Sequence, residues 1–175
     1  EEKEERLQKL QDYDSYLAQL QKELKQRRQE LEAAAEQLSS ERKAQALQLE
    51  KAIETELKDL NFAEVQFQIH FDKLADYTAD GVDDVEFLIS MNPGQPVKPL
   101  AEVASGGELS RTMLAIKTVM ADRDEIETLI FDEIDVGISG RTAQKVSEKM
   151  AVIGRNHQVI CITHLAQIAA QADQH

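Results

Sequence analysis

The residues of this chain that could do chemistry occur in three places: the segment SGGE (105–108), the pair Asp132 and Glu133, and His164. The two glycines of SGGE precede a helix-like run, and a helix N-terminus with glycines allows close approach of an anion such as phosphate. The carboxylate pair follows the apolar run TLIF. One carboxylate of such a pair can hold Mg²⁺, directly or through water, and the other can orient or deprotonate a water. Phosphate is therefore the first candidate ligand.

Each of these features also has a purely structural interpretation. Two acids after an apolar run can be a polar strand end that turns into a loop. A single histidine at a strand end is commonly structural, and His70, His157 and His175 have even less context. No His and Cys spacing suits zinc, so we predict no zinc site. The chain lacks a GxxxxGK[ST] loop, so a phosphate at SGGE would be held by another piece of protein.

The elements that must position these residues alternate between strands and helices after Asn61. Ser139 is predicted to be an N-cap and Gly154 a C-cap. Because the strands are continuous apolar runs, we predict buried strands in a parallel sheet covered by helices. The predicted elements are strand 65–71, turn 79–84, strand 85–91, proline-containing loop 92–99, helix 108–121, polar connector 122–127, strand 128–135, helix 139–154, strand 158–164 and a helix from 165.

The first sixty residues contain no Gly or Pro and predict one long helix with a heptad seam. Such a helix would reach roughly 90 Å and needs a partner limb, although an amphipathic helix lying on a globular core is an alternative. The seam changes phase around SSERK. Its first part comprises Leu10, Leu17, Leu24, Leu31 and Leu38 with Leu7, Tyr13, Leu20 and Ala34, and its second part Ala46, Ile53 and Leu60 with Leu49 and Leu57.

Composition narrows the class of protein. The 175 residues carry a net charge of −13, which makes the chain a poor nucleic-acid binder by itself, so a DNA contact would use other surfaces. A single cysteine, Cys161, excludes an internal disulfide and fits a reducing compartment. No apolar run approaches the roughly 20 residues of a membrane span, so we expect a soluble cytoplasmic protein. The first residue is not Met and the last residues read as helix, so we expect a fragment.

The order of the motifs resembles the C-terminal half of an ABC ATPase head. SGGELSR (105–111) looks like the signature motif, LIFDEID (129–135) like the Walker B strand, DVGISG (135–140) like the D-loop, and ITH (162–164) like the switch-histidine loop. The long coil points to the SMC-like branch of DNA repair and chromosome maintenance. Residues 61–175 closely resemble its bacterial double-strand-break repair members, whereas residues 1–60 match only as coiled coil.

The resemblance implies a role for each motif residue. Asp132 would help to hold Mg²⁺, Glu133 would be the general base for the water that attacks ATP, and His164 would lie between that water and the γ-phosphate. Asp135 would line the interface between two heads. Arg111 would support the signature loop or form a surface ion pair. The γ-phosphate of ATP on an opposing head would meet Ser105, Gly106, Gly107 and Glu108.

The implied architecture is an α/β chain: a coiled-coil limb (1–60) followed by the C-terminal lobe of an ABC-type head (61–175). The implied cofactors are ATP and Mg²⁺. The implied partners are the N-terminal half of the head with its phosphate loop and Q-loop, a second head in a homodimer, an antiparallel coiled-coil limb, and DNA in the full protein, with no membrane. This chain alone would be inactive, and the full protein would be cytoplasmic and nucleoid-associated. Alternatives are another SMC-like chromosome-maintenance ATPase and a structural coiled-coil adaptor with an inactive head.

Overall fold

The computed structural model describes residues 2–92, 94–103, 105–121, 123 and 125–175. Pro93, Asp122 and Asp124 of the predicted loop and connector, and the side chains of the seam residues Leu7 and Leu10, lie outside the described part. The elements are α1 (Glu2–Asp59), β1 (Gln66–Thr78), β2 (Gly81–Ser90), β3 (Lys98–Pro99), a 3-10 turn (Leu100–Glu102), α2 (Gly106–Met120), β4 (Thr128–Phe131), α3 (Gly140–Ile153), β5 (Gln158–Cys161) and α4 (Ala166–Ala169).

Several boundaries differ from those predicted. The turn predicted over 79–84 is shorter, because β2 already begins at Gly81. The strands predicted to run through Asp135 and His164 end at Phe131 and Cys161. α2 begins at Gly106 rather than Glu108, so both glycines belong to its first turn.

The single helix α1 is stabilised locally by its composition. Side-chain hydrogen bonds at four-residue spacing, such as Gln19 to Glu23 and Gln26 to Glu30 (both 2.9 Å), line its surface. The leucines of the first seam whose side chains the structure describes remain open to solvent: Leu17 is 37% exposed, Leu24 54% and Leu31 46%. This stripe is available to a partner, as a heptad seam requires.

Packing divides the chain into two units. The first comprises Glu1–Lys43 and Lys73–Asp84, the second Ala44–Asp72 and Val85–His175. In the first unit, Asp83 accepts hydrogen bonds from Ser39 Oγ (2.5 Å) and Arg42 Nη1 (3.2 Å). The Ser39 hydroxyl, and then the Arg42 guanidinium, hold the pKa of Asp83 below its usual value.

The second unit contains the hydrophobic core and, within it, the second part of the α1 seam. Ile53, Leu57 and Leu60 are fully buried there beside Phe67 of β1. The strands β1, β2 and β3 form a sheet in that order, and β2 and β3 are antiparallel. The second seam therefore packs on the core, as the alternative interpretation of the helix anticipates for this stretch.

α1 also contacts the backbone of the edge strand β1. Glu54 Oε1 accepts the N–H of Phe67 (3.0 Å), and Glu50 Oε1 accepts the N–H of Ile69 (2.7 Å). β1 is the outer strand of its sheet, so these amides have no neighbouring strand to pair with. The two carboxylates satisfy them instead.

The second sheet is the parallel pair β4-β5, and the described residues cover only one of its faces. On the covered face Leu129 and Phe131 join the core with residues of α2 and α3. On the opposite face Ile130 is 67% exposed, Ile160 45% and Ile162 58%. The parallel pairing agrees with prediction, but the predicted burial of the strands holds for one face. No helix in the described part is both long and apolar enough to cross a bilayer.

Candidate functional site

The parallel register of β4 and β5 brings the predicted site residues to one edge of the sheet. Phe131 lies opposite Cys161, so both strands deliver their following loops to the same side. The first of these loops carries the three acids Asp132, Glu133 and Asp135, and the second carries His164. Ligands of open α/β sheets bind at this edge, beyond the carboxyl ends of the strands.

Asp135 is the buried centre of this edge, with 3% of its surface exposed. Its Oδ2 accepts hydrogen bonds from Thr163 Oγ1 (2.5 Å) and the backbone N–H of His164 (2.8 Å), and His164 Nδ1 lies 3.1 Å away. Burial by itself raises the pKa of Asp135, but the hydrogen bonds from Thr163 and His164 outweigh it and leave the pKa lowered. The carboxylate therefore holds the two loops together.

The ends of consecutive parallel strands can lie side by side, so the sequence allows His164 to lie near Asp132 and Glu133. The structure places His164 at this edge, and the polar partner that it gives the ring is Asp135. The side chain of His164 is 70% exposed, so its ring remains accessible. Thr163 is a member of this group that the sequence analysis missed. Its place directly before the histidine, at the end of an apolar strand, was the available signal.

Asp132 and Glu133 are both exposed, on a tight turn. Asp132 Oδ1 accepts the N–H of Glu133 (2.8 Å), and the carbonyl of Glu133 accepts the N–H of Val136 (3.1 Å). Glu133 has a φ of 56°, in the left-handed region that a residue with a Cβ rarely adopts. Strain of about 1–3 kcal/mol at such a position is typical of functional sites.

SGGE forms the start of α2. Ser105 is the N-cap, and its Oγ accepts the N–H of Glu108 at 3.5 Å. The pattern S-x-x-E is a capping-box sequence, a signal that the sequence analysis did not use. Helix starts leave N–H groups without intrahelical partners, so this turn favours negative charge.

What approaches the two glycines in this chain is the turn after β4. A Cβ at Gly106 would overlap the carboxylate of Glu133. A Cβ at Gly107, which is buried, would lie 3.0 Å from the carbonyl oxygen of Glu133 and 3.2 Å from both Val136 Cβ and Arg111 Nη1. Close packing of the chain on itself therefore requires glycine at Gly107, independently of any ligand, whereas at Gly106 only the flexible Glu133 side chain would have to move.

Arg111 supports this packing, and among the described residues it forms no surface ion pair. Its Nη1 donates to the carbonyl oxygens of Ile134 (3.2 Å) and Val136 (2.9 Å), and its guanidinium lies over the ring of Phe62 at 5.4 Å. Only 7% of the residue is exposed. Burial lowers the pKa of the guanidinium, and the nearby carboxylate of Glu108 opposes that shift.

The donor set at this edge suits Mg²⁺ only when a ligand supplies further oxygens. Within the described residues no group of three or more His, Cys, Asp or Glu could hold a metal ion. Asp132 offers an exposed carboxylate with one oxygen already bonded to the N–H of Glu133. Mg²⁺ typically uses one or two carboxylates together with water and substrate phosphates, so a single carboxylate fits a nucleotide-bound ion.

His70, His157 and Cys161 make local contacts. His70 lies 3.3 Å from Asp72, and His157 contacts the carbonyl oxygens of Ile126 (2.7 Å) and Ala121 (3.1 Å). Burial, followed by the charges of Asp135 and Asp132, raises the pKa of Cys161 to about 11. The Cys161 thiol is therefore protonated at neutral pH and unreactive.

Comparison with known proteins gives relatives among DNA repair proteins. No family model matches the chain. The chain is 44% identical to DNA repair protein RecN of Halalkalibacterium halodurans, over 98% of the chain and 31% of the relative. It is 40% identical to RecN of Bacillus subtilis, over 98% of the chain and 32% of the relative. RecN of Treponema pallidum is 64% identical over 54% of the chain. The chain thus spans about a third of the length of the curated relatives that match it throughout.

Solved structures share the fold. The Smc head domain with an extended coiled coil from Pyrococcus furiosus, bound to the C-terminal domain of ScpA, matches 75% of this chain and 31% of its own at a TM-score of 0.52 and 22% identity. The Smc head domain with a coiled coil and joint from Pyrococcus yayanosii matches 75% of this chain and 24% of its own length. The TM-score is 0.53 and the sequence identity is 23%. The predicted fold class is confirmed. In sequence the chain is similar to the DNA repair protein RecN over almost its whole length, and in fold it is similar to the head domain of Smc proteins.

Proposed function

We propose that this chain is the C-terminal part of an SMC-like ATPase head that acts in recombinational repair of DNA double-strand breaks. ATP is bound and hydrolysed between two engaged heads, and each engagement and release acts on DNA. The observation that carries the proposal is the grouping of Asp132, Glu133, Asp135 and His164 at one sheet edge, beside the start of α2. Carboxylates, a histidine and a helix N-terminus are the groups that phosphoryl transfer to water needs.

The residues at the edge divide the work. Glu133, exposed and on a strained turn, is the general base that takes a proton from the attacking water. Asp132 would hold Mg²⁺ directly or through water, and the ion would supply positive charge to offset that of the phosphates. His164, held through its backbone by Asp135, reaches toward the γ-phosphate and that water. Asp135 itself keeps the interface loop ordered.

The start of α2 serves the ATP of the opposing head. Ser105, Gly106, Gly107 and Glu108 present backbone N–H groups and the positive end of the helix dipole to its γ-phosphate. In this chain the carboxylate of Glu133 lies against Gly106, where it would repel an arriving phosphate. Engagement of two heads therefore has to move this carboxylate away from α2, which also frees it for the water at its own site.

The site is completed by a second half of the head. The 175-residue sequence contains no GxxxxGK[ST] motif, and the relatives that match it throughout are about three times as long. Parallel sheets are normally covered on both faces, and the exposed face with Ile130, Ile160 and Ile162 is the surface that the N-terminal half would cover. The chain alone is accordingly inactive.

The exposed leucine stripe of α1 is the surface for a second coiled-coil helix. With Leu17, Leu24 and Leu31 open to solvent, α1 is one limb of an antiparallel coiled coil whose other limb lies in the N-terminal half. The acidic balance of the chain, −13, leaves DNA contacts to other surfaces of the full, cytoplasmic and nucleoid-associated protein.

The test is ATP hydrolysis, with and without DNA, by the full-length protein and by this chain alone. We expect turnover only in the full-length protein, and we expect Glu133→Gln to abolish turnover while trapping an ATP-dependent dimer detectable by light scattering. Glu127→Gln, an exposed glutamate just before β4, is the matched control and should hydrolyse ATP normally. Turnover by this chain alone, or normal turnover by Glu133→Gln, would refute these roles. Inactivity of the full-length protein would favour a structural coiled-coil adaptor.

A further inference from the structure

Arg111 connects two segments that are distant in sequence. It lies on the second turn of α2, and its Nη1 donates to two carbonyl oxygens, those of Ile134 and Val136. The same stretch is closed on itself by the hydrogen bond from Val136 N–H to the carbonyl oxygen of Glu133 (3.1 Å). One guanidinium therefore fixes the turn that carries Glu133 and Asp135 to the helix that begins with SGGE.

The surroundings of Arg111 indicate that this connection is not merely filling space. The residue is 7% exposed, and its Nε has no hydrogen-bond partner among the described residues. A buried donor without a partner destabilises the fold, and an apolar side chain of similar length would avoid that cost. A position that carries an arginine despite this cost is using the two donated hydrogen bonds for something other than net stability.

We propose that Arg111 is a positioning residue that keeps the Asp132–Val136 turn in register with the first turn of α2. This inference rests on the proposed function: both segments of one head face the opposing head, so a fixed spacing between them determines whether two heads meet productively. Arginine suits the task better than lysine because its planar guanidinium donates in a fixed geometry and stacks on the Phe62 ring at the same time.

The test compares Arg111→Met and Arg111→Lys with Arg155→Met, which removes an exposed arginine after α3. The first measurement is amide hydrogen exchange of this chain, which needs no nucleotide. The reporter amides are those of Val136 and Ile138, whose N–H groups donate to the carbonyl oxygens of Glu133 (3.1 Å) and Asp135 (3.4 Å) within the turn. Because hydrogen bonds from a charged group are lost, we expect exchange at both amides to accelerate at least about 10-fold in Arg111→Met, less in Arg111→Lys and not in Arg155→Met.

The second measurement is steady-state ATP hydrolysis by the full-length protein. We expect Arg111→Met to lower kcat at least about 10-fold with KM for ATP within about twofold, because the contacts that bind a head's own nucleotide lie elsewhere. Arg111→Lys should recover part of kcat. If Arg111→Met fails to fold, Arg111→Lys serves in both measurements.

The outcomes separate this inference from the proposed function. Unchanged exchange at Val136 and Ile138, or acceleration spread evenly over the chain, would overturn the positioning role. Faster local exchange with an unchanged kcat would also overturn it. A full-length protein without any ATP hydrolysis would refute the proposed function, while the exchange experiment would still decide whether Arg111 holds the turn.

Discussion

The two adjacent glycines of α2 allow a paired substitution whose results should differ. Gly107→Ala places a Cβ 3.0 Å from the carbonyl oxygen of Glu133 and 3.2 Å from both Val136 Cβ and Arg111 Nη1, in a buried position. Gly106→Ala places a Cβ against the carboxylate of Glu133, the exposed end of a flexible side chain. The first clash can be relieved only by moving backbone, whereas the second needs only a side-chain rotation.

The magnitudes follow from two opposing effects. Replacing glycine by alanine within a helix stabilises by about 0.5–1 kcal/mol, because the unfolded chain loses freedom. Overpacking a tight site costs about 1–3 kcal/mol. Gly107→Ala should therefore lose up to about 2.5 kcal/mol, with a central value of about 1 kcal/mol, and Gly106→Ala should be neutral or gain up to about 1 kcal/mol. At about 2–4 °C per kcal/mol for this chain length, Tm should fall by up to about 10 °C in Gly107→Ala and rise by about 0–4 °C in Gly106→Ala.

The assay is thermal unfolding of the two variants and the parent chain, followed by circular dichroism at one protein concentration. A Gly107→Ala variant as stable as Gly106→Ala would refute the reasoning, since the turn after β4 would then not press on the start of α2. A large loss in Gly106→Ala would show that the Glu133 carboxylate is fixed rather than mobile.

Three further predictions concern ionisable groups. The pKa of Asp135 is lowered in the folded chain, so its contribution to stability is present above the unfolded pKa of about 3.9 and is lost as pH falls through the folded value. Urea unfolding of Asp135→Asn should show no such loss of stability below about pH 4. At pH 7 this variant should be less stable than the parent chain by about 1–3 kcal/mol. Cys161, with a pKa of about 11, should react with iodoacetamide at pH 8 at least about 100-fold more slowly than free cysteine, as mass spectrometry would measure; a rate like that of free cysteine would contradict its burial. Lys149, whose side chain is 9% exposed, binds Glu56 Oε2 (2.5 Å) and Asp59 Oδ2 (3.0 Å). In urea unfolding, Lys149→Met should lower the free energy of unfolding by about 1–3 kcal/mol. Lys145→Met, which breaks an exposed pair with Glu148 on the same helix, should lower it by less than about 0.5 kcal/mol. Equal losses would show that the buried ion pairs of Lys149 stabilise the fold no more than an exposed pair.

Sequence patterns predicted the elements well because the helices and strands have clear periods and clear ends. The apolar runs TLIF and QVIC predicted two parallel strands, and the polar residues after each run placed the candidate site at one edge. Those patterns do not specify which side chain meets which. The pairing of His164 with Asp135 depends on how far each loop turns after its strand, which no local pattern encodes.

Burial was harder to predict than secondary structure. A continuous apolar run predicts a strand covered on both faces, yet Ile130 and Ile160 are exposed because the described residues cover one face only. The glycines of SGGE show a second limit. Their sequence context suggested an anion, whereas their tight neighbours are Glu133, Val136 and Arg111, which lie in contact only once the fold has formed.

The carboxylates of α1 that bind β1 have a mechanical consequence. Glu50 and Glu54 are four residues apart, about 6 Å along a helix, and the amides of Phe67 and Ile69 are two residues apart, about 6.6–6.8 Å along a strand. The two repeats match closely enough for both hydrogen bonds to form at once. A rotation of the helix by one residue, about 100°, would break both. Torque on this stretch of α1 would therefore be borne by the backbone of β1, so twisting of the helix and deformation of the sheet are coupled.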